Sequence, residues 1–273
     1  MGGDGKIYAD TVTGGKNAGD YTSTATFSNG NYQVSNTTSG FSISKAKAIV
    51  SWGVNSFIYN GNYQRPTATV KGVSIDGSLN FDYLTEEQVN AGNNYQVSIA
   101  LNGEDNYYIA TADASRTFVI NKKVVSVTWD NLVFDYDGEE HKPTASANGV
   151  DNQPLTISVS GAKVDAGKFM ATASIDNANY TLSGASKQFT INKKQITVVW
   201  SNLEFNYDGE VHKPTASAND ILGQPLDFIY SGEQSEVGIH TVTITCANTN
   251  YIVTNDTAQF EIKSANPIAP DQE

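Results

Sequence analysis

Cysteine is almost absent from this chain. Cys246 is the only one, so no disulfide can form within the molecule. That scarcity does not place the chain inside a cell, because exported bacterial proteins often avoid cysteine, whereas small secreted animal domains are usually disulfide-dense. Basic residues are also few: 17 Lys and Arg stand against 29 Asp and Glu, for a net charge of -12. Such a surface repels phosphate backbones and anionic membrane faces, which argues against nucleic-acid partners. No apolar run approaches the roughly 18 residues needed to cross a bilayer, so membrane insertion is not expected. The opening Met1-Gly2-Gly3-Asp4-Gly5 has neither the basic start nor the apolar core of a signal peptide, and reads as a cut from a longer protein. Also missing is any window of ten or more residues with a 3.6-residue apolar stripe, which excludes a helical architecture.

What the chain has instead is internal repetition, and this organises everything else. Phe-x-Ile recurs at Phe41/Ile43, Phe118/Ile120, Phe189/Ile191 and Phe260/Ile262, the phenylalanines standing 77, 71 and 71 residues apart. On the same ruler come Trp52, Trp129 and Trp200, and the turns Tyr59-Asn60-Gly61, Tyr136-Asp137-Gly138 and Tyr207-Asp208-Gly209. So do Pro66, Pro143 and Pro214, the glycines at 19, 92, 167 and 238, and Asn-Tyr at 31, 106, 179 and 250. These landmarks divide the chain into the C-terminal half of a module (1–44), three full modules (45–121, 122–192 and 193–263) and a tail (264–273).

Within each module apolar residues alternate with period two, the signature of strands. The opening strand reads Ala48/Val50/Trp52, Val125/Val127/Trp129 and Ile196/Val198/Trp200. A middle strand reads Leu79/Phe81/Tyr83, Leu155/Ile157/Val159 and Leu226/Phe228/Tyr230. The Asp-Gly and Asn-Gly pairs predict tight type I′ hairpins, and each landmark proline is placed where a strand begins. The expected fold is all-β: a tandem array of small Ig-like β-sandwich modules, with a truncated sandwich or a β-grasp-like variant as the alternative for so short a repeat. The joints, such as Phe189 through Ile196, contain no Gly or Pro and are expected to be stiff. Three modules, each about 30 Å across, would then make a rod of about 90 Å. The exposed strands of the half-module must fold back on the next module, pair with another chain, or stay partly loose.

Modules reading Trp…Tyr-Asp-Gly…His-Lys-Pro-Thr-Ala…Ala-Gly…Asn-Tyr…Phe-x-Ile resemble the MBG/YDG-type tandem repeats of bacterial cell-surface, adhesin-like proteins. The resemblance runs from the half-module to about Lys263. It implies an extracellular location, at the cell surface or attached to the wall, and brings no catalytic residues and no cofactor.

The candidate sites are few. Trp52, Trp129 and Trp200 could stack on sugar rings, but each is in phase with the inward residues of its strand, so core packing is the stronger reading. The repeat accounts for most tyrosines and leaves Tyr8, Tyr63 and Tyr108; of these, Tyr63 and Tyr108 make the first full module the place to look for a binding surface. Tyr136, Gly138, Tyr207 and Gly209 are read as structural, and the Asn-Tyr tyrosines as a corner whose hydroxyl bonds to backbone. Asp135-Tyr136-Asp137-Gly138-Glu139 has too few further ligands for a calcium loop, and no metal is expected. His141 and His212 are expected at exposed turn edges. Cys246 occupies the slot of Phe27, Leu101 and Ile175, so it is expected to be a buried, inert thiol. Lys122, Lys123, Lys193 and Lys194 recur at the joints, out of apolar phase, which disfavours Lys–Asn isopeptide links there. With no catalytic constellation, the expected role is a stiff stalk or spacer. The alternative is an adhesive repeat that takes host or plant glycan, glycoprotein or mucin. The chain is expected to be monomeric.

Overall fold

The structure, a computed structural model, describes residues 11–12, 14–26, 31, 35, 37–72 and 77–264. Tyr8, Phe27, Tyr32, the core of the insertion between Lys71 and Gly77, and most of the tail lie outside the described residues. The chain forms two compact units: residues 1–123 with 177–181, and residues 124–176 with 182–273. Among the described residues there is no α-helix, only the short 3-10 turn Val150–Asn152.

In the first unit the half-module is an antiparallel sheet of three strands in sequence order: β1 (Thr11–Val12), β2 (Gly19–Thr26) and β3 (Thr38–Ile43). The first full module contributes β4 (Ala46–Lys47), β5 (Ile49–Trp52), β6 (Ser56–Ile58), β7 (Ala68–Lys71), β8 (Phe81–Tyr83), β9 (Gly92–Leu101), β10 (Tyr107–Tyr108) and β11 (Ser115–Asn121). One layer is a mixed sheet in the order β6-β11-β9-β8, with β6 parallel to β11. The other layer pairs β4 with β10 in parallel and β5 with β7 antiparallel. The period-two pattern explains the core between them. In β7, Ala68 and Val70 point inward while Thr69 and Lys71 face out. They meet Ala48, Leu79 and Ile99 in one buried cluster, and Val97, Phe118 and Ile120 form the next.

The second unit repeats this plan twice. The strands Val133–Asp135, Ser186–Asn192, Gly167–Ser174 and Ser158–Ser160 make one four-stranded sheet, and Glu204–Asn206, Thr257–Lys263, Gly238–Cys246 and Phe228–Ser231 make the other. Their cores hold Ala171, Phe189 and Ile191 in one case and Val242, Phe260 and Ile262 in the other. Burying a side chain the size of Phe or Ile contributes about 2–3 kcal/mol, so the Phe-x-Ile landmark is the anchor of each sandwich. Pro66, Pro143 and Pro214 are fully buried one residue ahead of the strands that begin at Ala68, Thr144 and Thr215, or directly before them. These are small β-sandwich modules in tandem.

Two local expectations are corrected. The Tyr-Asp-Gly turns do not close hairpins: the strand before each pairs with the last strand of its module, and the strand after pairs in the other layer. Only the glycine takes a positive φ, +82° at Gly61, +87° at Gly138 and +82° at Gly209, so the paired positive φ of a type I′ turn is absent. The Asn or Asp side chain folds back instead: Asn60, Asp137 and Asp208 Oδ1 each accept the amide two residues on, at 2.9 Å. The opening strand is also not continuous. It breaks at Ala48, Val127 and Thr197–Val198, where it leaves the strand after Asn-Tyr and joins the strand after the proline.

Candidate functional site

The tryptophans are half-buried against the module cores, and their indole N–H groups are committed to backbone. Trp52 donates to Asp113 O at 3.1 Å, Trp129 to Gly184 O at 2.9 Å and Trp200 to Asn255 O at 3.1 Å. Each acceptor lies in the segment leading into the last strand, so the indole ties the opening strand to it. The histidines are a correction. His141 and His212 keep only 17% and 16% of their side chains exposed. They stack on Phe134 and Phe205 at 4.6 and 4.5 Å and share 2.8 Å hydrogen bonds with Asp137 and Asp208. The ring's apolar face covers the inward phenylalanine, which the turn position alone did not reveal. In each turn the amide of the second residue on, then the His ring, hold the Asp carboxyl below the usual carboxylate range despite partial desolvation. That chemistry is structural: Asp137 commits its carboxylate to Glu139 N and His141.

The densest polar construction surrounds the asparagine of each Asn-Tyr pair. Asn250 is the one polar residue that is fully buried among those described, at 8% exposure. Its Oδ1 accepts the Ala166 amide at 2.7 Å, and its Nδ2 donates to Asp165 Oδ1 at 2.9 Å. Its own amide donates to Asn248 Oδ1 at 3.0 Å, and its carbonyl accepts the Lys194 amide at 2.8 Å. Every polar atom of the residue is therefore paired, as burial demands. Asn179, which belongs to the first unit, repeats the pattern: Oδ1 takes Ala91 N at 2.7 Å, Nδ2 reaches Asn90 Oδ1 at 3.0 Å, its amide goes to Asn177 Oδ1 at 3.0 Å, and its carbonyl takes Lys123 N at 2.9 Å. At Asn106 the same atoms take Ala18 N at 2.7 Å, Asn17 Oδ1 at 3.2 Å and Ala46 N at 2.8 Å. The partner is always the pair of residues before a landmark glycine, roughly one module and a turn earlier in the chain. Asparagine suits the post because one carboxamide supplies both an acceptor and a donor.

Aromatic contacts stand beside the Asn179 and Asn250 clasps. Tyr59 packs edge-to-face on Tyr180 at 5.3 Å in the first unit, and Tyr136 on Tyr251 at 5.5 Å in the second. Burial, with the Tyr251 hydroxyl alongside, pushes the Tyr136 phenol above its ordinary value. Tyr251 also accepts the Ile221 amide at 3.1 Å, a bond to backbone 30 residues away and not the local one of a tyrosine corner. The half-module's partner is thus identified within the first unit: Asn106 ties it to the first full module. The sequence marked Asn-Tyr as a landmark but assigned the work to the tyrosine. The signal for the asparagine was present in Asn177-x-Asn179 and Asn248-x-Asn250, where the first Asn caps the loop that presents the second.

Tyr63 and Tyr108 are exposed, at 71% and 47%. Tyr63 follows the Tyr59 turn, on the side of the module that meets Tyr180. Tyr108 lies in β10 opposite Lys47, two residues after Asn106. They stand toward opposite ends of the module, and among the described residues no hydrogen bond or ring contact joins them. Lys47 beside Tyr108 pairs with Asp113 at 2.9 Å, and that carboxylate raises the lysine's pKa. Cys246 is half-buried rather than fully buried. Lys122, Lys193 and Lys194 are exposed and Lys123 is half-buried. An open groove near this joint is lined by Asp135, Asn192, Lys193, Lys194, Gln195 and Ile252. Among the described residues no three His, Cys, Asp or Glu side chains converge to hold a metal.

The family model described as "MBG domain" matches residues 48–124 and 125–195, more than half of the chain. No curated protein matches it. Among solved structures, invasin, a bacterial integrin-binding protein, is similar with a TM-score of 0.30 and 12% identity, covering 80% of this chain. The chain spans 60% of the length of that structure, and a likeness of this order bears on neither binding nor activity.

Proposed function

The chain belongs to the MBG-domain family, and from that premise we propose that it is a stalk or spacer in an adhesin-like bacterial surface protein, standing outside the cell. MBG repeats are typically non-catalytic, and the polar groups found here serve structure: the Asp–His pairs brace turns, and the indoles brace strands. The observation that carries the reading is the recurrence of one clasp at Asn106, Asn179 and Asn250, with the same two backbone-adjacent partners each time. A spacer needs joints that resist bending, and a bidentate carboxamide, buried at Asn250, half-buried at Asn179 and exposed at Asn106, fixes two neighbouring groups at once, where a surface ion pair contributes about 0–1 kcal/mol. Single residues, Lys122 and Lys193, separate the last strand of one repeat from the first strand of the next, which supports the same reading.

Small-angle scattering on the whole chain is the test. A stalk gives a rod-like profile with a cross-section of one module, retained from low to physiological salt. N106A/N179A/N250A then shifts the profile toward that of a flexible string while the sandwiches stay folded. A flexible profile for the unmodified chain defeats the proposal.

A second reading, an adhesive repeat, is favoured by the exposed Tyr63 and Tyr108 in the most divergent module. Saturable binding to host or plant glycans or mucin, lost in Y63A or in Y108A, would establish it. Because the two rings present separate surfaces, the reading expects one of the two variants to abolish binding, not both together.

A further inference from the structure

The clasp has two halves, and the third module carries an exposed copy of the receiving half. We infer that Tyr207, Glu236 and Val237 form a docking surface for the Asn-Tyr loop of a further MBG module. The receiving halves in use are Asn17-Ala18, Asn90-Ala91 and Asp165-Ala166, each ahead of a landmark glycine. In the third module that position is Glu236-Val237, ahead of Gly238. The Val237 amide corresponds to the Ala166 amide that meets Asn250 Oδ1, and the Glu236 carboxylate to the Asp165 carboxylate that takes Asn250 Nδ2.

The surface is already shaped for this partner. Tyr21 and Tyr95 hydroxyls hold their receiving loops by donating to Asn17 O and Asn90 O, at 2.8 and 3.1 Å. His240 Nε2 makes the equivalent bond to Glu236 O at 2.7 Å, so the loop is braced with its donor amide in place. Tyr207, the counterpart of the half-buried Tyr59 and Tyr136, is 44% exposed, and Val237, the counterpart of half-buried Ala91 and Ala166, is 51% exposed. An apolar rim beside one amide donor and one carboxylate acceptor matches a Tyr ring beside a carboxamide. The occupant is therefore a β-module presenting Asn-x-Asn-Tyr, as a continuation of the interface seen at Asn179 and Asn250. The inference stands whether the region spaces other domains or binds a ligand, because it concerns only how modules meet.

The test extends the whole chain after Ser264 with a second copy of residues 194–263 and follows amide hydrogen exchange. The Val237 amide is expected to slow by about tenfold or more relative to the unextended chain, the effect of one buried hydrogen bond. N250A in the appended copy should return Val237 to its original rate, while the copy's own Val242 amide stays protected. An unchanged Val237 rate beside a protected Val242 in the copy overturns the inference. Should the appended copy fail to fold, the unextended chain still decides. N250A should speed exchange at Ala166, and N179A at Ala91, each by about tenfold. If neither amide responds, the asparagine is not what the receiving half recognises, and the inference falls.

Discussion

Replacing the clasp asparagine by aspartate separates its two hydrogen bonds, and the two clasps respond differently. In N250D the new side chain keeps an oxygen facing the Ala166 amide, but its second oxygen replaces an Nδ2 that lies 2.9 Å from Asp165 Oδ1. Two carboxylates then share a partly buried contact. At an effective dielectric near 20, like charges about 4 Å apart repel by about 4 kcal/mol, and solvent around the exposed Asp165 reduces this to about 2–3 kcal/mol. At Asn179 the second partner is Asn90, whose carboxamide can turn over and present its own NH2 to the new carboxylate. With that bond regained, N179D should cost less than about 1 kcal/mol. Urea unfolding at neutral pH, read together with exchange at Ala166 and Ala91, measures both. D165N in the N250D background restores a donor and should recover most of the loss, whereas Asn90→Asp in the N179D background should create one. Equal costs for N250D and N179D, or no recovery in N250D/D165N, would refute the hydrogen-bond assignment.

Tyr230 Oη accepts the amide of buried Ala216 at 2.8 Å, as Tyr83 does for Ala68, so Y230F should lower stability by about 1–2 kcal/mol in chemical denaturation. The second module has Val159 in that position and carries no such bond to lose. In the Tyr-Asp-Gly turns, a Cβ on Gly209 meets nothing within 4 Å, while one on Gly138 meets Ile221 Cδ1 at 2.7 Å. G209A should cost about 1 kcal/mol for its positive φ alone, and G138A about the same, because the exposed Ile221 side chain can turn its Cδ1 away. The carboxyls of Asp137 and Asp208 are held below their ordinary range, so the stability they contribute is present above the unfolded carboxylate value and disappears as pH falls through the folded ones. Carboxyl NMR titration should find both midpoints below those of the chain's unpaired aspartates, and D137N/D208N should flatten the acid limb of the unfolding curve. Normal midpoints would dismiss the bond to the Glu139 and Glu210 amides as a stabilising one.

Period two and the landmark spacing were enough to read the all-β tandem sandwich fold and its anchoring Phe-x-Ile pairs. Those features depend on short-range alternation, which a sequence displays directly. Partner choice is different. Asp-Gly between two apolar runs ordinarily closes a hairpin, yet β6 joins the last strand of its module in parallel, because the opening strand already fills the place beside β7. The half-buried state of His141 is hidden in the sequence for a related reason: only the fold brings Phe134 under its ring. The clasp was hidden by distance, since Asn250 and Asp165 are separated by 85 residues and by the whole of a sandwich.

The variation among receiving halves follows from the same chemistry. Asn17, Asn90 and Asp165 differ in charge, yet each offers an oxygen to a carboxamide N–H, as Glu236 would in the proposed fourth pair, and the second bond comes from a backbone amide that any residue but proline supplies. The amide position is alanine in all three observed clasps, and valine at 237 can supply the same N–H. The donor loop has no such latitude: at 8% exposure Asn250 must satisfy an acceptor and a donor with one short side chain, and glutamine would overreach by about 1.5 Å of chain. A repeat built this way tolerates drift on the receiving side while the presenting asparagine stays fixed. That asymmetry predicts the outcome of exchanging modules: any module that keeps Asn-Tyr should seat on any of the four receiving pairs. Substituting residues 193–263 into the place of 122–192 should thus leave Ala91 protected to within about tenfold of its original rate. A freely exchanging Ala91 in a folded exchange variant would show that the pairs are matched individually, and that the clasp is not the common joint.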